Sequence, residues 1–161
     1  MRKGKQKPSP SIAQPTLKPI PRVLRGIALD GEGEHRPLWR LSLLDAEYVG
    51  QWHWQIDRTT TTRIVRFLTE MERLTWREIW DQQAGGERRR GAKHKLIPVD
   101  HLCKEAQQRI REIRLDDWEE LFRFRLSGPE RLWGILTDET PRVFYPVWWD
   151  PDHKICPNKD K

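Results

Sequence analysis

Apolar and polar positions change their period along this chain. From Leu38 to Asp45 (LWRLSLLD) they alternate, with Trp39, Leu41 and Leu43 on one side and Leu38, Arg40, Ser42 and Leu44 on the other, which predicts a first strand over 38–45. From Thr59 the period lengthens. In TTTTRIVRFLTEMERL the residues Ile64, Val65, Phe67, Leu68, Met71 and Leu74 form a broad helical stripe, and the threonines at 59–62 are expected to cap it. Thr75 with Glu78 three positions on is a capping-box pattern for a short second helix, TWREIWDQQ. After Pro98, Asp100 is the expected cap of a third helix, HLCKEAQQRIREIRL, in which Leu102, Ala106, Ile110 and Ile113 recur at helical spacing. The segment between the second and third helices, AGGERRRGAKHK (84–95), combines glycines with basic side chains and no large apolar residue, so it reads as a solvent-exposed mobile loop.

The last third returns to a period of two. LFRFRLSG places Leu121, Arg123, Arg125 and Ser127 on one side of a strand and Phe122, Phe124 and Leu126 on the other. RLWGILT and RVFYPVWW follow, joined through the turn-forming SGPE and TDETP, which together predict a three-stranded antiparallel meander. Pro146 lacks a ladder donor and marks the last strand as an edge or a bulged one. A strand, two to three helices and then the meander is an α+β order, with the helices expected on one face of the sheet.

Composition adds a boundary. Residues 1–25 are rich in Pro, Lys and Ser and poor in large apolar residues, so they are expected to be a disordered basic tail ahead of a single α+β domain over 26–161. Residues 1–29 hold seven basic side chains and no acid, so most of the net charge of +6 belongs to this tail and the remainder is close to neutral. No apolar run approaches the roughly 18 residues that cross a bilayer, so neither a membrane span nor a signal peptide is expected, and the protein is placed in the cytoplasm. Cys103 and Cys156 form no CxxC pair and are expected to stay reduced there.

Three features bear on chemistry. Arg123 and Arg125 share one face of their strand, and SGPE returns Arg131 beside them; three guanidiniums on one face form a candidate phosphate clamp, unless Glu119, Glu120 and Glu130 neutralise them as an ordinary solvated face. The nine tryptophans are mainly core material, but Trp148 and Trp149 are successive, so strand alternation offers Trp149 as a surface on which a base can stack. His153 follows the last strand in a loop with Asp150, Pro151, Asp152 and Lys154, where an imidazole can act as a general acid. His53, His94 and His101 lack such a setting. Only His101 and Cys103 lie close in sequence, so no metal site or other cofactor is expected.

The segment R123-F-R125-L-S-G128-P-E-R131-L-W-G-I, continued through the final strand to His153, resembles the C-terminal half of the RelE/YoeB-type toxins of bacterial toxin–antitoxin systems. That resemblance implies a metal-independent endoribonuclease that cleaves mRNA on the ribosome by attack of a 2′-OH on the adjacent phosphate. It implies catalytic roles for Arg131, on the transferring phosphate, and for His153, as general acid. Arg123, Arg125, Lys154 and Trp149 are the expected RNA contacts, and RNA or the ribosome and an antitoxin protein the expected partners. Glu119 and Glu120 match no motif of the family, so the general base is unassigned. The alternative is a non-catalytic interaction module that docks a protein through the sheet face or the Trp-rich turn.

Overall fold

A computed structural model of the chain describes residues 33–86 and 90–157, and the basic tail expected over 1–25 lies outside them. The fold is α+β. Strand β1 (Leu38–Trp39) is followed by helices α1 (Arg58–Met71) and α2 (Trp76–Trp80), and then by a two-stranded ribbon of β2 (Gln83–Ala84) and β3 (Gly91–Ala92). Strand β4 (Lys95–Pro98), helix α3 (Lys104–Glu112) and the meander β5 (Glu120–Arg125), β6 (Arg131–Leu136) and β7 (Val143–Asp150) complete it. The main sheet has the order β1-β7-β6-β5-β4; β1 runs parallel to β7 and the other neighbours are antiparallel.

The helices pack on both faces of this sheet, not on one. Every meander strand is apolar on both sides: Phe122, Leu132 and Trp149 face α1 and α2, whereas Leu121, Trp133 and Trp148 face α3. A sheet with two apolar faces must be covered twice.

Local signals account for the helix ends with two exceptions. The capping box of α2 forms as expected, Thr75 accepting from the Glu78 amide and the Glu78 carboxylate accepting from the Thr75 amide. Helix α1 is capped not by a threonine but by Asp57, whose carboxylate accepts from the Thr60 amide at 2.6 Å; a carboxylate is the stronger acceptor, so the threonines fall inside the first turns. Asp100 sits in a single 3-10 turn (Val99–His101), and α3 starts after Cys103 without a side-chain cap. The Cys103 amide is instead held by the Ile155 carbonyl at 2.7 Å.

The first strand is far shorter than the alternation over 38–45 suggests. The Arg40 amide donates to the Phe144 carbonyl, and in a parallel ladder the next bond would run from the amide of residue 146. Pro146 has none, so pairing stops and Leu41 is left 64% exposed. Pro146 also marks a bulge. Gly134 pairs with Pro146 while Trp133 pairs with Trp148, so Val147 is the extra residue and both Val147 and Trp148 turn toward α3. Gly134 is required there, because a Cβ would stand 2.2 Å from the Tyr145 carbonyl oxygen.

Asp45 ties the departing segment down. Its carboxylate accepts from the Arg109 guanidinium at 2.9 and 2.7 Å and from the Trp148 indole at 2.9 Å, joining the chain after β1 to α3 and β7. Burial pushes the Asp45 pKa up, and the bonds from Arg109 and Trp148 more than offset this, leaving it below the ordinary carboxyl value. Its contribution to stability is therefore present above about pH 3.9 and is lost as the pH falls through the lower folded value. Asp45→Ala is expected to cost about 2–3 kcal/mol at pH 7, somewhat less than a fully buried pair because Arg109 reaches solvent. Urea denaturation of both chains should show the difference shrinking below about pH 4.

Candidate anion-binding site

Strand alternation and cross-strand register assemble the site. Arg123 and Arg125 lie on the face of β5 that carries Leu121, and register sets Lys95 of β4 opposite Arg123 and Arg131 of β6 opposite Arg125. Four cations thus share the α3 face at its hairpin end. They line a cleft of about 270 Å³ with His153, and its remaining wall is Ala84, Gly91 and Ala92 of the ribbon.

Two of these cations are deeply placed. Arg123 is 8% exposed and Arg131 5%, and the buried Nε of each has no hydrogen-bond partner among the described residues. Arg131 is aimed by its Nη1, which donates to the carbonyls of Gly128 at 2.8 Å and Glu130 at 2.9 Å. Arg123 lies over the Trp133 ring at 5.9 Å, a cation–π contact that holds the guanidinium flat on the core edge. Burial, with Arg123 and Arg125 nearby, pushes the Arg131 pKa down to about 10; burial lowers that of Arg123 as well.

Among the described residues no carboxylate lines the cleft. Glu130 is held elsewhere, by Arg63 at 2.7 Å and by the Ser127 hydroxyl at 2.5 Å, and Glu120 opens β5 at the end away from Arg125. Pairing of the arginines with Glu130 is therefore overturned: Glu130 belongs to a hairpin-turn network on the α1 side, because successive strand residues face opposite ways.

His153 is brought to the cleft by Asp150, which is fully buried at the end of β7 opposite Arg131. The Asp150 carboxylate accepts from the amides of Lys154 at 2.8 Å and Ile155 at 3.0 Å and from the Trp133 indole at 3.3 Å. This wraps residues 151–155 around one carboxylate and puts His153 in the left-handed region at φ 57°. Its Nε2 lies 3.4 Å from Arg123 Nη1. A guanidinium can only donate, so Nε2 accepts and the ring is neutral. Burial and then the charges of Arg131, Arg123, Arg125 and Lys95 push the His153 pKa down to about 4, in keeping with that state.

The other expected contacts are not in the cleft. Trp149 is 2% exposed within the α1/α2 core, and Trp148 is buried against α3, so the Trp-rich turn offers no stacking or docking surface. Alternation does point them to opposite faces, but both faces are covered. Lys154 is exposed and engages Asp150 through its backbone amide; its side chain does not line the cleft. His101 is exposed beside Asp100 at 3.9 Å, and His53 accepts from the Gln55 amide. Among the described residues no three His, Cys, Asp or Glu side chains gather as metal ligands, and Cys103 and Cys156 are free thiols.

Two contributors had been read as parts of an exposed loop, His94 and Lys95. His94 is 1% exposed and packs against Phe67 and Phe124. Its Nδ1 accepts from the Arg125 amide at 3.1 Å, so Nε2 carries the proton that faces Gln82 Oε1 at 3.2 Å. His94 thereby anchors the ribbon to β5, and Lys95 begins β4 directly after it. The adjacent apolar pair Leu96 and Ile97 is the signal available, but four residues do not distinguish a strand from a loop.

Comparison with protein-family models, with curated proteins and with solved structures finds no match to the chain. Among the described residues no helix is long and apolar enough to cross a membrane.

Burial, then Lys93 and Arg123, push the His94 pKa down to about 3. A base depressed on folding contributes stability that is complete above the ordinary value of about 6.5 and is lost as the pH falls through about 3. Urea midpoints should accordingly drop between pH 7 and 4.5, and His94→Gln should be less stable at pH 7 but show a smaller drop.

Proposed function

We propose that this protein binds RNA through the cleft and cleaves it as a metal-independent endoribonuclease of the RelE/YoeB type, acting on mRNA in the cytoplasm. The observation that carries the reading is the meeting of Arg131 and His153 in one cleft with Lys95, Arg123 and Arg125. A phosphodiester entering it meets three guanidinium groups and an ammonium group, and none of the described lining residues is a competing anion.

In the reaction the 2′-oxygen bonds to the adjacent phosphorus and the P–O5′ bond breaks, leaving a 2′,3′-cyclic phosphate and a 5′-hydroxyl. Arg131 and Arg123 stabilise the charge that builds on the non-bridging oxygens. His153 delivers the proton to O5′. It is neutral in the empty cleft because burial and then four cations oppose its protonation, and a bound phosphate offsets part of the second effect. The proton of the 2′-OH passes to solvent. mRNA and the ribosome are the partners in this reading, and an inhibitory antitoxin protein is the further one that it implies. Trp149 and Lys154 take no part.

The test is incubation of end-labelled mRNA with ribosomes and the full chain in EDTA. Wild type should yield fragments with 2′,3′-cyclic phosphate ends, Arg131→Ala should be slower by about 10²–10³-fold, and His153→Asn by about 10²-fold or more. Asparagine is chosen because it tolerates a positive φ. Intact message with wild type, or equal rates for wild type and Arg131→Ala, would overturn the nuclease reading; intact message that is nevertheless retained would leave RNA binding alone.

A further inference from the structure

The charge of the cleft exceeds what an internal RNA phosphate supplies. A phosphodiester carries one negative charge, whereas a phosphate monoester at a strand end carries close to two near neutral pH. Lys95, Arg123, Arg125 and Arg131 bring four positive charges to a cleft of about 270 Å³, and two of those side chains are more than nine-tenths buried. Buried like charges repel one another, and among the described residues the Nε donors of Arg123 and Arg131 have no hydrogen-bond partner. The wall opposite is made of Ala84, Gly91 and Ala92, and a Cβ added at Gly91 would meet nothing within 4 Å, so there is room for a tetrahedral group. Among the described residues His153 is the only aromatic ring in the lining, which leaves little for a base to stack on.

We propose that the cleft is a dianion site, which takes the doubly charged phosphate at the end of an RNA strand, or a doubly charged phosphorane, in preference to the singly charged diester within a strand. The inference rests on the RNA-binding reading above and specifies the ligand of the same site. It gives the excess charge a use: the ground-state diester is monoanionic, and a site matched to two charges holds the transition state, and a phosphate-ended strand, more firmly than the uncut strand.

A second consequence follows from what faces His153. Lys95 of β4, Arg123 and Arg125 of β5 and Arg131 of β6 oppose its protonation; Asp150 of β7 holds its loop, and Asp152 and Lys154 flank it in that loop as exposed side chains. A dianion placed among the four cations cancels half of their charge and sits nearest the ring, so binding favours taking a proton onto it.

Calorimetry on the full chain at pH 7 and constant ionic strength can compare sulfate, whose charge stays at −2, with dimethyl phosphate, whose charge stays at −1. Sulfate should bind at least about tenfold more tightly, and a 2′-O-methylated RNA trimer with a 5′-phosphate should exceed its 5′-hydroxyl counterpart by a similar factor. Repeating the sulfate titration in two buffers of different ionisation enthalpy should reveal proton uptake that disappears in His153→Asn. Arg131→Gln should lose the preference for sulfate; should it fail to fold by circular dichroism, Lys95→Gln, at an exposed position, and Arg125→Gln, at a half-buried one, should each reduce that preference.

Equal affinity for the two anions, or for the two trimers, would overturn the dianion site. Tight sulfate binding without proton uptake would overturn the part given to His153. Cleavage of unmodified mRNA, measured in parallel, separates this inference from the reading it rests on: cleavage with equal anion affinities sinks the dianion site alone, and a sulfate preference without cleavage sinks the nuclease alone.

Discussion

The structure depends on the double-sided burial of three strands. Because β5, β6 and β7 carry large apolar side chains on both faces, α1 with α2 must cover one side and α3 the other. On the α1 side this cover extends to Phe124 and Trp149, near the hairpin end of the strands. On the α3 side the apolar rows stop at Leu121, Trp133 and Trp148, and the positions that follow are Arg123 and Arg125 on β5, Arg131 on β6 and Asp150 on β7. The cleft is thus the unfinished end of a core face. Its cations are partly desolvated by the same packing that holds the sheet, which makes their unpartnered donors chemically significant.

Two buried carboxylates organise what surrounds that face. Asp45 draws the chain after β1 onto Arg109 and Trp148, and Asp150 gathers the amides that follow β7. They differ in their balance: bonds from Arg109 and Trp148 prevail over burial at Asp45, whereas burial prevails at Asp150, which has no guanidinium bonded to it and whose pKa is raised. Asp150 thereby supports His153 without neutralising the arginines. A carboxylate turned inward to backbone amides shapes the rim of a cationic cleft and leaves the cleft itself positive.

The pattern of the chain carries much of this. Its alternation over 121–126 and 131–136 puts the three arginines on one face, and the turn residues between bring them together. The capping box at Thr75 and the helix around Ala106 and Ile110 follow from local chemistry in the same way. Trp149 shows the limit of such reasoning: the alternation correctly separates it from Trp148, but whether the outward face meets water depends on α1 and α2. The first strand shows another. Its alternation runs on to Asp45, and it ends early because the partner strand holds Pro146, about a hundred residues away.

What the sequence determined by itself is therefore everything that rests on neighbours within a few residues: the class of fold, the side of each strand on which a charge lies, and a set of three arginines on one face. Tertiary structure alone decided that Lys95 stands opposite Arg123, that His94 is a buried anchor, that Glu130 is taken by Arg63, and that His153 reaches Arg123. Each of these joins residues that the chain keeps well apart, and strand period carries no information about which distant strand or loop will lie alongside. Register and burial supply it, and they exist only once the sheet is closed on both faces.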